Sequence, residues 1–236
     1  MRDIADRAAA RASATPASAD DRPKRKPSLP EEVVDELVRV VGPRRAPKLS
    51  ERLDGARRSF ERERYEEARR ILGLLAKEAP SAAAVRELLG LTLYRLDKWR
   101  QAAAELEAFR TLTGSVDQHP VLADCYRALG RFHEVDELWS ELREASPSAE
   151  LVAEGRIVAA GALADQGQLA AAINLMERAP SVGSKLREHH LRQWYVLADL
   201  EDRAGNSTKA TSLFRRIQQQ SPGFADVDSR LAALGR

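Results

Sequence analysis

The side chains that could carry chemistry are few in this 236-residue chain, and their spacing does not favour catalysis. The neighbouring pair His189–His190 would point about 100° apart on a helix, which makes it a poor metal-chelating pair. The carboxylate pairs Glu66–Glu67 and Asp136–Glu137 are expected on outer helix faces, with no other catalytic group near them in sequence. We therefore expect no metal site, no cofactor and no enzymatic activity.

A single cysteine, Cys125, excludes an intramolecular disulfide and a cysteine-based metal site. It lies beside Leu122 and Tyr126 on an apolar helix face, which predicts a buried thiol. The sequence has no glycine-rich phosphate loop and no nucleophile elbow. These observations leave an enzyme function without a candidate nucleophile.

The composition is that of packed helices, with 43% hydrophobic but only 5% aromatic residues. The 38 basic and 36 acidic residues nearly cancel, so the whole chain carries no strong field for nucleic acid. The N-terminus lacks the apolar core of a signal peptide, and no stretch reaches the roughly 18 apolar residues that span a membrane. We therefore expect a cytoplasmic protein without a membrane span.

A repeated pair of residues organises the chain, because an aromatic or apolar residue is followed three places later by a small one. The five pairs are Tyr65–Ala68, Trp99–Ala102, Phe132–Val135, Leu169–Ala172 and Ser207–Ala210, with Val135 and Ser207 as departures. Their second members lie 34, 33, 37 and 38 residues apart. A period in this range with helical filling predicts stacked helix pairs.

The residues within each unit fit two closely packed helices and a tight turn. Small residues at matching places let the helices approach: Ala56, Gly90, Ala123, Ala160 and Ala198 on the first helices, and Ala68, Ala102, Ala172 and Ala210 on the second. Gly130, Gly167 and Gly205 suit a left-handed residue at the turn. The longer segment from Ala179 to His189 is interpreted as a loop after the fourth unit.

These units resemble the tetratricopeptide repeat (TPR) family, whose pattern runs Trp-x₂-Leu-Gly-x₂-Tyr…Ala-x₃-Phe…Pro. The best matches are Leu89-Gly90 with Ala102 and Leu106, and Trp194-x₂-Leu197-Ala198 with Ala210-x₃-Phe214 and Pro222. The resemblance covers residues 49–222. It implies an all-α fold, a right-handed solenoid of about five TPR-like helix pairs.

We expect four segments along the chain: a disordered basic arm (1–29), an N-terminal helix and linker (30–47), the repeat array (48–222) and a short C-terminal helix (223–236). Ser28 is the expected cap of the N-terminal helix. The apolar stripe of that helix must dock, either as a cap on the first repeat or on another protein. The final helix, with Asp226 near its start, could cover the last pair.

The resemblance also implies a concave groove, lined by the first helices, that holds a segment of a partner protein. By register, the groove-facing residues include Arg57, Glu61, Glu87, Leu91, Tyr94, Arg95, Asp124, Arg127, Asp165, Tyr195, Asp199 and Asp202. The first half is weighted towards basic residues and the second half towards acidic ones, which favours a basic stretch of the partner there. The asparagine and lysine pattern of chaperone-binding members is missing, since Arg57, Leu91 and Asp124 hold the places for asparagine.

The sequence predicts a protein-interaction scaffold or adaptor, and it leaves two alternatives open. One is a nucleic-acid-associated protein that uses the basic run Arg22–Lys26 with Arg44, Arg45 and Lys48, although nucleic acid is the less favoured partner. The other is the regulatory subunit of an enzyme.

Overall fold

The computed structural model describes residues 29–183 and 185–235, and this part of the chain is all-helical, with twelve helices. The helices fall into two compact units, here called the N-unit (29–129) and the C-unit (130–183 and 185–235). The boundary lies within the third predicted repeat, between its two helices. Most of the predicted arm, residues 1–28 with the expected cap Ser28, lies outside the described residues.

The N-unit holds six helices, each of which packs on the next along the chain. They are α1 (Glu31–Val41), α2 (Ala46–Glu61), α3 (Tyr65–Glu78), α4 (Ala83–Arg95), α5 (Trp99–Thr113) and α6 (His119–Ala128).

The C-unit holds the other six helices, packed in the same sequential manner. They are α7 (Phe132–Ala145), α8 (Ala149–Asp165), α9 (Leu169–Glu177), α10 (Glu188–Arg203), α11 (Ser207–Gln220) and α12 (Val227–Leu234).

The small residues predicted at the helix contacts are buried, and two glycines show how tight those contacts are. A Cβ on Gly90 of α4 would lie 2.6 Å from Leu106 Cδ2 of α5. In the C-unit, a Cβ on Gly155 of α8 would clash with the Leu142 side chain of α7. Because interiors are close-packed, any larger residue at either glycine must displace the facing leucine side chain or push the two helices apart.

The turn between the two helices of each repeat uses one residue in the left-handed conformation. The prediction is confirmed for Gly130, Gly167 and Gly205, with φ of 72°, 78° and 83°. Glu63 and Asp97 take the same conformation at the matching turns of the first two repeats, with φ of 58° and 57°. The backbone of the turn is therefore fixed by the helix pair, even where no glycine relieves it.

Helix α1 packs against the N-unit through one face. Leu37 is fully buried, whereas Val38 is 36% exposed. The Glu36 carboxylate accepts hydrogen bonds from the backbone N–H groups of Ala83 and Ala84, at 2.5 and 3.2 Å, and so satisfies the free donors at the start of α4. This packing accords with the first alternative, a cap on the repeats.

The segment that precedes α10 is shorter than expected. The sequence predicted a loop from Ala179 to His189, but α10 already begins at Glu188. His190 Nδ1 accepts a hydrogen bond from the backbone N–H of Arg187 at 2.9 Å and helps to cap the helix. The two histidines are therefore helical residues, with ring centroids 4.0 Å apart.

Candidate partner-binding surfaces

The central predicted residues of the N-unit form a buried hydrogen-bonded cluster. Tyr94 on α4 is only 3% exposed, and its hydroxyl donates to Asp124 Oδ2 on α6 at 2.7 Å. Asp124 is also buried, and its other oxygen accepts from Arg127 Nε at 2.8 Å. The Tyr94 ring meets the Trp99 ring edge to face, with centroids 5.3 Å apart. The hydrogen bond between Tyr94 and Asp124 thus joins helices α4 and α6.

Of the other predicted residues of the N-unit, Arg57, Glu61 and Arg95 lie nearer the surface and have contacts within the unit. Arg57 on α2 forms ion pairs with Asp54, at 2.7 Å, and with Glu61. The Arg95 guanidinium lies over the Tyr65 ring, 5.0 Å from its centroid. Partly exposed ion pairs of this kind contribute little to stability, which leaves these side chains able to exchange partners.

Three of the four predicted residues in the C-unit contact the C-terminal helix or the residue just before it. The Tyr195 hydroxyl donates to Asp226 Oδ1, at 2.5 Å, just before α12 begins. Arg230 on α12 donates to Asp199 Oδ1 and Asp202 Oδ2, at 2.9 and 2.8 Å. The acidic pair that the sequence assigned to a partner's basic stretch therefore already holds an arginine of the same chain.

The electrostatics of this contact follow from burial and hydrogen bonding. Burial raises the pKa of Tyr195, and the hydrogen bond to Asp226 adds to the rise. Burial alone would lower the pKa of the Arg230 guanidinium, but the hydrogen bonds to Asp199 and Asp202 outweigh it and raise that pKa. The remaining predicted residue, Asp165, is exposed at the end of α8.

Sequence reasoning missed Asp226 and Arg230 as partners of the groove residues, although a signal exists. Tyr94 and Asp124 are 30 residues apart, and Tyr195 and Asp226 are 31 residues apart. Both intervals are close to one repeat. A tyrosine followed by an aspartate one repeat later is therefore the pattern that predicts the contact.

A buried ion pair between α8 and α10 was also missed. Arg192 Nη2 and Glu154 Oε2 are 2.5 Å apart, and both residues are at least nine-tenths buried. Burial raises the pKa of Glu154 to about 7, although the Arg192 charge acts the other way. Glu154 Oε1 has no hydrogen-bond partner among the described residues. The signal in the sequence is a glutamate flanked by Ala153 and Gly155 in the small-residue part of α8, since buried charges require partners.

The structure also describes the surroundings of Cys125 and the residues that could hold a metal ion. Cys125 is fully buried, as predicted, and burial raises the pKa of its thiol, with the Asp124 charge adding to the effect. Within residues 29–183 and 185–235, no three His, Cys, Asp or Glu side chains are grouped so as to hold a metal ion. Over the same residues, no helix is both long and apolar enough to cross a membrane.

The structure is similar to a solved TPR protein. The crystal structure of TTC0263, a thermophilic TPR protein in Thermus thermophilus, superimposes with a TM-score of 0.58 and 18% sequence identity. The match covers 79% of this chain and 98% of that one. No protein-family model matches the sequence, and no curated protein matches it. The fold is thus TPR-like, a helical-repeat architecture.

Proposed function

We propose that this protein is a scaffold or adaptor that binds a segment of another protein on its first helices. The observation that carries the proposal is the contact of α2 with α4 and of α4 with α6, which makes one continuous face within the N-unit. Helical-repeat proteins use such extended faces for binding. In the C-unit, α8 and α10 are in contact in the same way.

The binding residues that we propose are the accessible members of the predicted set. In the N-unit these are Arg57, Glu61, Arg95 and Arg127, a mixed but mainly basic group. In the C-unit they are Asp165, Asp199 and Asp202, of which the last two would exchange Arg230 for a basic side chain of the partner. Arginine is a common anchor of protein interfaces. Tyr94, Asp124 and Tyr195 support this face by holding neighbouring helices together.

The test is capture of partners from the native cell by the full chain and by two matched double variants. Arg95→Glu with Arg127→Glu reverses two charges on the proposed face. Arg70→Glu with Arg100→Glu reverses two exposed charges on the second helices α3 and α5. We expect a protein that the wild type and the second variant retain and that the first variant loses, with unchanged helicity by circular dichroism. Equal retention or equal loss by both variants would refute the proposed face.

A second candidate function rests on Arg44, Arg45 and Lys48, which are exposed around the start of α2. Together with the basic run Arg22–Lys26 they could contact a nucleic-acid backbone. Such binding would weaken steeply as salt rises, because counterions are released. A titration of DNA and RNA at two salt concentrations measures this directly, and absence of binding at low salt would eliminate it.

A further inference from the structure

An acidic cleft lies on the N-unit between α1, the start of α4 and the end of α5. Its volume is about 450 Å³. Its lining includes the apolar residues Val33, Phe109 and Leu112, and Leu112 is 44% exposed although its side chain is large and apolar. Three carboxylates line the same cleft: Glu32, Glu36 and Glu87.

These carboxylates carry negative charge that the described residues do not neutralise. Glu87 accepts a hydrogen bond from Gln118 Nε2 at 2.8 Å, and Glu36 accepts the two backbone N–H groups at the start of α4. None of the three has an ion pair within the described part of the chain. Burial raises the pKa of Glu87, and the nearby charges of Asp117 and Glu36 add to the rise. A cation placed in the cleft would relieve this repulsion.

The only basic side chain that lines the cleft from the described residues is Arg39. Its Nε donates to the backbone carbonyl of Asp35, within α1 itself. One arginine against three carboxylates leaves the cleft acidic. A cleft lined by both apolar side chains and carboxylates fits a short segment that combines positive charge with hydrocarbon length, which is what lysine and arginine side chains provide.

We propose that the occupant is the chain's own basic run, Arg22–Lys26. The run ends five residues before α1 begins at Glu31, and Glu32 lines the cleft. An extended chain covers roughly 3.3 Å per residue, so the run can fold back along α1, whose eleven residues span only about 16 Å. A tethered ligand also has a high effective concentration, which compensates for weak individual contacts. The cleft includes none of the binding residues proposed above, and it shares only Glu87 with the groove-facing set that the sequence predicts.

Docking of this kind would have a functional result. While the run occupies the cleft, its four basic side chains are withheld from nucleic acid or an acidic partner. The same contacts are largely electrostatic, so they would weaken as salt screens them.

The experiment uses the full chain with a nitroxide at Ser18→Cys, four residues before the run. Cys125 is buried and is therefore not expected to compete for the label. Paramagnetic broadening of the Leu112 methyl signals reports arrival of the arm at the cleft. Leu74, 55% exposed on α3 and absent from the cleft, is the matched control. We expect at least a twofold intensity loss at Leu112 and none at Leu74.

Two sets of variants separate charge pairing from chance proximity. Lys24→Glu with Arg25→Glu and Lys26→Glu should restore the Leu112 signal, and so should Glu32→Gln with Glu87→Gln. Arg7→Glu with Arg11→Glu, which changes basic residues outside the run, should leave the broadening in place. Broadening that is absent, equal at both leucines, or unaffected by the first two variants would overturn the proposal.

A mixed sample tests whether the arm of a second copy, rather than the chain's own arm, fills the cleft. Spin-labelled protein without isotope is combined with isotope-labelled protein without the spin label. Broadening of Leu112 in this mixture would show that the arm of a second copy fills the cleft, which would overturn the intramolecular proposal. No broadening in the mixture, with broadening in the single-chain experiment, would support it.

Discussion

In each unit a tyrosine hydroxyl donates to an aspartate, and the two hydrogen bonds differ in what they join. In the N-unit, Tyr94 on α4 donates to Asp124 on α6, and both residues are buried. In the C-unit, Tyr195 on α10 donates to Asp226, which is exposed and immediately precedes α12. Both tyrosine rings also meet a neighbouring aromatic ring edge to face.

The near-equal spacing of the two bonds shows the role of α12. The residue just before α12, Asp226, accepts from Tyr195 on α10 as Asp124 on α6 accepts from Tyr94 on α4. The helix buries Val227 against the Tyr195 and Phe214 cluster, and Arg230 adds ion pairs on the same side. Helix α12 thus covers the apolar residues of α10 and α11 with which Val227 is clustered.

The largest effect is expected where two helices approach most closely. Gly90→Leu should lower the free energy of unfolding by about 3 kcal/mol, because the new side chain meets Leu106. Gly155→Leu should act similarly in the C-unit against Leu142. Gly73→Leu on α3 is the control, since a Cβ there has no neighbour within 4 Å. Urea denaturation followed by circular dichroism measures all three, and equal losses would contradict the packing.

We expect Glu154 in the C-unit to make the free energy of unfolding depend on pH. Its pKa is about 7 in the folded chain against an ordinary 4.5, so between these values the folded chain holds one more proton. The free energy of unfolding should therefore fall as pH rises from 4.5 to 7, by up to about 3 kcal/mol, and level off above.

Glu154→Gln should remove this slope. His189, whose pKa burial lowers, gives a slope of opposite sign below about pH 6.5, so the test is the difference between wild type and variant. Glu144→Gln, at an exposed position in the same unit, should leave the profile unchanged. Identical profiles for wild type and Glu154→Gln would show that the carboxyl group titrates normally.

The tyrosine hydroxyls should differ in their contribution to stability. Tyr94→Phe leaves the buried Asp124 with one donor fewer and should cost about 1–2 kcal/mol. Tyr195→Phe should cost less than about 1 kcal/mol, because water can replace the hydroxyl at the exposed Asp226. Thermal melts of the two variants rank them, and a larger loss for Tyr195→Phe would reverse our interpretation.

The smallest effect is expected at the turns. Asp97→Gly should stabilise by about 0.5–1 kcal/mol, because glycine adopts the left-handed conformation without strain. Gly205→Ala should destabilise by about 1 kcal/mol for the same reason, since its Cβ would meet nothing within 4 Å. We expect the denaturation midpoints of the two variants to shift from that of the wild type in opposite directions. Shifts of both midpoints in the same direction would show that backbone strain at the turn does not determine stability.

The sequence predicted the repeats well because helical spacing and small residues are local signals. It predicted Gly167 and Gly205 at turns, but it could not show that Glu63 and Asp97 occupy the same conformation, because the helix pair imposes it. Register also assigned Tyr94 and Tyr195 to the groove. Their burial depends on partners one repeat away, which a reading of single repeats does not contain. Whether the accessible residues bind a partner stays a prediction.

The spacing between Tyr195 and Asp226 sets a rule for how this chain can change in length. A whole helix pair inserted after Pro222 could place its own aspartate against Tyr195 and its own tyrosine against Asp226. A shorter insertion would separate Arg230 from Asp199 and leave the apolar end uncovered. A duplication therefore preserves these contacts only when it adds a whole helix pair before α12.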